Sequence, residues 1–367
     1  MSGTSSDWWS RVLTNGDGWV GRSANASERY VVLPDVNDPR TLIDPANSAA
    51  VADALGRSRA LRRVPRAAIR VGAVGAARVL QRREMWSVHT TQGSSSLRDH
   101  LRTLLGSSVD LSIAIGPARP NQKPIVRCWR RSELVAVAKL GPDPHTAEMI
   151  AHEATWLDEL EKAPVEGVTV PTVLHVGEWG GGAMLLTDAL TIDDPRPLRP
   201  DDMPMHLLDH FSARFHADME PRGLLAELAE RIRPESGSIE CETIDALASD
   251  PRVDLVTLGF AHGDWSPWNV TASLDGTWTV WDWERATRSA PLGFDHLHLC
   301  VQYGDGDIDR ALAHAGVPSE LHAPTALMYL LELTARNVEA GQPAGGHQER
   351  VRSLLGQYRA DPTGVAT

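Results

Sequence analysis

Lysine is nearly missing from this chain. Of its 367 residues, 36 are Lys or Arg, and only Lys123, Lys139 and Lys162 are lysines. Where arginine serves almost everywhere, a surviving lysine is a candidate for a place that needs a compact ammonium rather than a planar fork; Lys162, at a helix end, reads as a solvated surface lysine. Cysteine is scarce as well. Cys128, Cys241 and Cys300 are far apart and odd in number, which speaks against a disulfide framework and fits a reducing cytoplasm. No run supplies the ~18 clean apolar residues of a membrane span, because stretches such as "AAIRVGAVGAARVL" are cut by arginines. The N-terminal "MSGTSSDWWSRV" lacks the basic-then-apolar pattern of a secretion signal. Walker A and "GxSxG" patterns are absent too, which removes the P-loop and α/β-hydrolase classes.

What remains is an ordinary globular composition, 42% hydrophobic and 23% charged. The length suits two or three domains. A net charge of −12 makes a poor nucleic-acid binder, since phosphate contacts need a basic surface. It suits a cationic substrate, and it suits plain solubility.

Along the chain, residues 1–95 read as an appended region. "RYVVLP" and "RTLIDP" are short strands stopped by proline. "SAAVADALGRSRAL" and "AAIRVGAVGAARVLQRR" read as helices, the second weakened by glycine. Residues 96–187 form a small lobe. "SLRDHLRTLLG" is a helix with a Ser cap and a Gly stop. "VDLSIAIG", "PIVRCWRR" and "LVAVAKL" read as an antiparallel meander. "PHTAEMIAHEATWLDELEKA" is an amphipathic helix, and two further strands end in "AMLLTDAL". Residues 188–367 are mainly helical, interrupted by the loop and hairpin of "FAHGDWSPWNVTASLDGTWTVWDWE". The fold class expected is α+β.

That interruption carries chemistry. Asp264 and Asn269 are five residues apart, and Asp282 follows 18 residues after Asp264. Phosphoryl transfer from a nucleotide needs one carboxylate to take the proton of the attacking hydroxyl. It needs an Asn and an Asp to hold Mg²⁺, and a Lys, steadied by a Glu, to grip the phosphates. Lys139 ends the third strand of the small lobe, and Glu153 lies 14 residues later on the next helix, facing inward with Ile150 and Leu157.

The set resembles the aminoglycoside phosphotransferase family of the protein-kinase-like superfamily. Its His-Gly-Asp-x-x-x-x-Asn loop is matched by His262, Gly263, Asp264 and Asn269, and its Asp-Φ-(Asp/Glu) by Asp282, Trp283 and Glu284. The resemblance covers about residues 96–360. It implies a two-lobed kinase-like fold with an N-terminal extension. It also implies Mg²⁺, ATP or GTP as donor, and a small-molecule hydroxyl as acceptor. Asp264 is then the base, and Asn269 and Asp282 are the metal ligands. Lys139, paired with Glu153, contacts the phosphates. Asp188 and Leu190 lie in the hinge that receives the base. His262 and Asp295 support the loop. Gly116 and Lys123 belong to the phosphate-covering loop, which has one glycine where protein kinases carry three. Trp265, Trp268, Glu284 and Arg288 are candidates for the acceptor pocket.

Blander readings stand beside these. Asn and Asp favour turns, Lys123 serves equally well as a solvated loop lysine, and aromatics in a chain with 12 tryptophans are as readily core. "HLHLC" lacks a second pair at zinc spacing and reads as a packed helix. "DGDIDR" lacks the glycine and glutamate of a calcium loop. Residues 1–95 are open to capping the small lobe, shaping a pocket or forming a homodimer. The expected activity is phosphorylation of an antibiotic of aminoglycoside or nucleoside type, with an amino-sugar or sugar kinase as alternative. A nucleotide-binding sensor or scaffold is the reading from another class. A protein kinase is disfavoured, because only about ten residues separate "DWE" from "GFDHLH".

Overall fold

The computed structural model describes residues 6–22, 26, 28–35, 38–56, 72–73, 75–77, 79–80, 85–116, 121–190, 198–232, 238–273, 276–342 and 348–360. Residues 57–71, which hold the end of the first and the start of the second helix expected in the N-terminal region, and residues 117–120 of the phosphate-covering loop lie outside these. The chain forms two compact units: Met1–Thr155 with Pro171–Leu190, and Trp156–Val170 with Thr191–Thr367.

The first unit is built on one antiparallel sheet. Its strands are β1 (Gly18–Gly21), β2 (Glu28–Asp35), β3 (Asp38–Ile43), β4 (Met85–Thr90), β5 (Asp110–Ile115), β6 (Pro124–Arg130) and β7 (Glu133–Gly141). After β8 (Val168–Thr169), which belongs to the second unit, β9 (Val173–Trp179) and β10 (Gly182–Asp188) complete it. The order across the sheet is β1-β4-β2-β3-β5-β6-β7-β10-β9. The 1–95 segment therefore supplies four strands to the same sheet that carries the small-lobe meander. The helices are α1 (Ser6–Thr14), α2 (Ser48–Gly56), α3 (Leu97–Leu105) and α4 (Pro144–Lys162), the last belonging to the second unit from Trp156 on.

Local chemistry sets these boundaries. Ser96 caps α3 by accepting the Asp99 N–H at 3.2 Å, and Gly106 ends it at φ +62°, where a side chain is disfavoured. On β7 the period of two puts Ala136, Ala138 and Leu140 into the core, so Lys139 faces the opposite side of the sheet. Arg98 on α3 bonds Asp44 at 2.7 Å and lies over the Tyr30 ring. Tyr30 in turn donates to Glu28 at 2.5 Å. These buried pairs fasten β2 and the end of β3 to α3.

The second unit is helical around two small sheets. Its helices are α5 (His206–Arg214), α6 (Pro221–Ile232), α7 (Ser238–Ala248), α8 (Phe294–Tyr303), α9 (Ile308–His314), α10 (His322–Glu339) and α11 (Gln348–Ala360). Its strands are β8, β11 (Leu258–Ala261), β12 (Val270–Ala272), β13 (Trp278–Val280) and β14 (Thr287–Pro291). α10 is its axis. Leu327, Met328, Leu331 and Ala335 pack into one core, while Ala326, Tyr329, Leu330 and Leu333 pack into another. A helix with two apolar faces is buried all round, as its sequence demands.

One buried cluster gives this unit a pH dependence. Asp250 accepts the Arg252 guanidinium at 2.8 Å and the Tyr358 hydroxyl. Partial burial pushes the Asp250 carboxyl up, but the hydrogen bonds from Arg252 and Tyr358 outweigh it and hold the group at about 2. A depressed carboxylate stabilises the fold above its ordinary value, and that stability is lost as pH falls toward the folded value. After allowance for solvent screening, Asp250→Asn should cost about 1 kcal/mol near neutral pH. The gap to the parent should narrow toward about pH 3. Urea midpoints of both proteins across that range check this; a gap independent of pH would refute it.

Candidate active site

In the first unit, β7 pairs Lys139 with Ile125 on β6 and with Leu185 on β10. Its ammonium reaches both Glu153 oxygens at 2.7 Å. Glu153 is 2% exposed, one turn beyond Ile150 on the buried face of α4. The expected Lys–Glu pair is thus formed, with the ammonium held at one point by a dry carboxylate. Lys123 is also buried, its Nζ 3.7 Å from the Met149 sulfur. Gly116 follows β5, and its carbonyl accepts from Gln122 at 2.5 Å and from Arg40 at 3.4 Å. Asp188 ends β10. Its carboxylate takes the Thr172 N–H at 2.7 Å, and its own N–H donates to the Thr172 carbonyl. Leu190 lies two residues on, half-buried.

In the second unit, the register of a three-residue hairpin does the positioning. Val270 pairs with Val280, so Asn269 lies opposite Trp281, whose N–H donates to the Asn269 carbonyl at 3.1 Å. Asp282 comes next, in the left-handed region at φ +70°, a conformation Asp tolerates better than most residues. The hairpin thereby brings an amide and a carboxylate to one end. The Asn269 amide nitrogen donates to the Asp264 carboxylate and to its carbonyl, both at 3.0 Å.

The loop before it is held from several sides. Asp295, on the first turn of α8, accepts the His262 N–H at 2.7 Å and the Gly263 N–H at 3.0 Å. The Gly263 carbonyl accepts from Arg336 on α10 at 2.7 Å. Gly263 has φ +80°, and a Cβ there would lie 2.2 Å from the Arg285 carbonyl, so only glycine fits. His262 is fully buried. Its Nδ1 accepts the Asp264 N–H at 3.3 Å and its Nε2 donates to the Trp281 carbonyl at 3.2 Å. Those two partners define a neutral ring. Burial pushes His262 down, against the nearby carboxylates.

Asp264 has one partner that the sequence did not disclose. His298 Nε2 lies 3.4 Å from its Oδ1. Burial pushes the Asp264 carboxyl up; the His298 hydrogen bond and charge pull it down further, leaving it below the ordinary range. "HLHLC" does form a helix, α8, as expected. The only signal for His298 was its spacing of three from Asp295, which puts both on one face.

The acceptor candidates fare unevenly. Trp265 is fully buried among Phe211 and His262, so its ring is core and cannot reach an acceptor. Trp268 is 52% exposed. Arg288 is bound to Glu159 and stacks on Trp156 and Phe215, which makes it a brace within its own unit. Glu284 is half-buried next to Trp283.

No protein-family model matches the sequence, and no curated protein matches it. Solved structures do. A thermostable mutant of aminoglycoside phosphotransferase APH(4)-Ia in its apo form is similar at TM-score 0.53 and 15% identity, over 71% of this chain and 99% of that one. A ternary complex of such a mutant with ADP and hygromycin B is similar at TM-score 0.51 and 14% identity, over 74% and 99%. A choline kinase from Streptococcus pneumoniae aligns at TM-score 0.48 and 15% identity, over 71% and 99%. At these identities the likeness is one of fold: the chain has the kinase-like α+β fold of the aminoglycoside phosphotransferases.

Proposed function

We propose that this chain is an O-phosphotransferase that moves the terminal phosphoryl group of ATP or GTP to a hydroxyl of a small molecule. The observation that carries this reading is the arrangement around Asp264. A carboxylate within hydrogen-bond reach of Asn269 shares one end of a hairpin with Asp282. Lys139, held by Glu153 in the first unit, supplies the cation that such a reaction places on nucleotide phosphates.

The donor set fits Mg²⁺. Asn269 spends its side-chain nitrogen on Asp264, so its side-chain Oδ1 is the atom available to a metal, and Asp282 adds carboxylate oxygens; Mg²⁺ takes oxygen ligands. When bound, Mg²⁺ supplies charge neutralisation on the phosphates. In the reaction, the acceptor oxygen forms a bond to the γ-phosphorus and the bond from that phosphorus to the bridging oxygen breaks. The hydroxyl proton goes to Asp264, and the nucleoside diphosphate leaves with the bridging electrons.

For the acceptor we favour an antibiotic of aminoglycoside type, with nucleoside antibiotics and amino sugars next. A cationic acceptor suits the net charge of −12, and a structural neighbour holds hygromycin B beside ADP. The test is consumption of ATP and GTP with Mg²⁺ against a panel of these three classes, with Asp264→Asn as control. Turnover that needs an acceptor and vanishes in the control supports the reading. Nucleotide binding without turnover, unchanged in the control, overturns it and favours the sensor.

A further inference from the structure

We infer, on the strength of the phosphotransferase reading, that His298 is a positioning residue that fixes the orientation of the Asp264 carboxylate. A carboxylate turns easily about its last torsion, whose preferences are broad. Asp264 is held at both oxygens. Asn269 donates to Oδ2 at 3.0 Å, and His298 approaches Oδ1 at 3.4 Å. Two donors on opposite oxygens define the plane of the group. They thereby define which lone pair points to an incoming hydroxyl.

His298 is itself fixed. Its side chain is 12% exposed. Its Nδ1 lies 3.5 Å from the hydroxyl of Tyr329, a fully buried residue on α10. With the hydroxyl donating to Nδ1, the ring N–H that remains is on Nε2, facing Asp264. The Phe294 ring lies nearly parallel to the imidazole, 11° between planes at a centroid distance of 6.3 Å. α8 thus braces the loop twice. Asp295 holds the backbone of His262 and Gly263, and one turn later His298 holds the side chain of Asp264. Both come from the single stretch "FDHLH". Catalytic groups must keep their geometry to within about 0.5 Å, and a misplacement of about 1 Å costs on the order of 10²-fold in rate.

The experiment compares His298→Phe, which removes the donor, with His298→Gln, whose amide can place an N–H where Nε2 was. Both are assayed by ATP or GTP consumption with whichever acceptor of the panel the parent turns over. For His298→Phe, kcat should fall about 10- to 100-fold with both KM values within about threefold. His298→Gln should recover kcat to within about fivefold of the parent. A purely structural role would lower the folded fraction without this split and without rescue by the amide. Should His298→Phe not fold, Tyr329→Phe carries the test, with kcat expected to fall about threefold or more at unchanged KM. Turnover lost in Asp264→Asn but kept in His298→Phe, or no rescue by His298→Gln, overturns the role of His298 alone. A parent with no acceptor-dependent turnover overturns the phosphotransferase reading and this inference with it.

Discussion

Asp264→Asn is expected to lower acceptor-dependent turnover by about 10³-fold while nucleotide KM stays within about threefold. The substitution keeps the shape of the side chain. Its oxygen can still accept from the Asn269 amide, now 3.0 Å from the carboxylate. What it loses is the ability to take a proton, which is worth about 10²- to 10⁴-fold for a positioned base. The preserved KM is as informative as the lost kcat, because Asp264 acts on the hydroxyl rather than on the nucleotide. A coupled assay under Mg²⁺, with the donor titrated at saturating acceptor, measures both. Turnover within tenfold of the parent would mean that the proton leaves by another route and that the role given to Asp264 is wrong.

Asp295→Ala should strongly destabilise the second unit. Its carboxylate is 2% exposed and accepts two backbone N–H groups, from His262 at 2.7 Å and Gly263 at 3.0 Å. Alanine leaves both donors buried without an acceptor. Each such group costs about 1–3 kcal/mol, so a loss on the order of 3 kcal/mol is expected. In a unit of this size that lowers Tm by on the order of 10 °C. Thermal unfolding followed by circular dichroism checks it. A Tm within about 2 °C of the parent would show that the loop holds its shape without the carboxylate, through Arg336 and His262 alone.

Much of the second half of the site was legible because it is local. Asp264, Asn269 and Asp282 lie on one loop and one hairpin, where spacing along the chain becomes spacing in space. Lys139 and Glu153 were legible for a related reason. A strand end and the buried face of the next helix are set by periods of two and of 3.6 residues, and the bond forms at 2.7 Å. What escaped depends on packing between distant segments. His298 meets Asp264 across 34 residues of chain, and beyond a spacing of three from Asp295 nothing in "HLHLC" says which imidazole faces the loop. Arg288 meets Glu159 across 129 residues, so a cation expected at an acceptor is spent on its own fold. Trp265 and Trp268 are three apart in sequence yet 0% and 52% exposed. Composition alone does not separate a core indole from a surface one.

The strand order of the first unit has a consequence for solubility. An open sheet has two margins, and a margin offers unpaired N–H and C=O groups to strands of other molecules. Were the chain to begin near Ser96, one margin would be β5. That strand is six residues long, and its Leu111, Ile113 and Ile115 are buried apolar groups. Instead β3 covers it, pairing Thr41 with Ala114 and Ile43 with Ser112, and the margin moves outward to β1. β1 has four residues with a glycine at each end, and its exposed Trp19 lies against His89 of its neighbour. A short, glycine-bounded margin is a poor template for a foreign strand. With the first ninety residues in place, the sheet that carries Lys139 thus presents β1 rather than β5 at this margin, and a version shortened to begin near Ser96 would leave β5 uncovered.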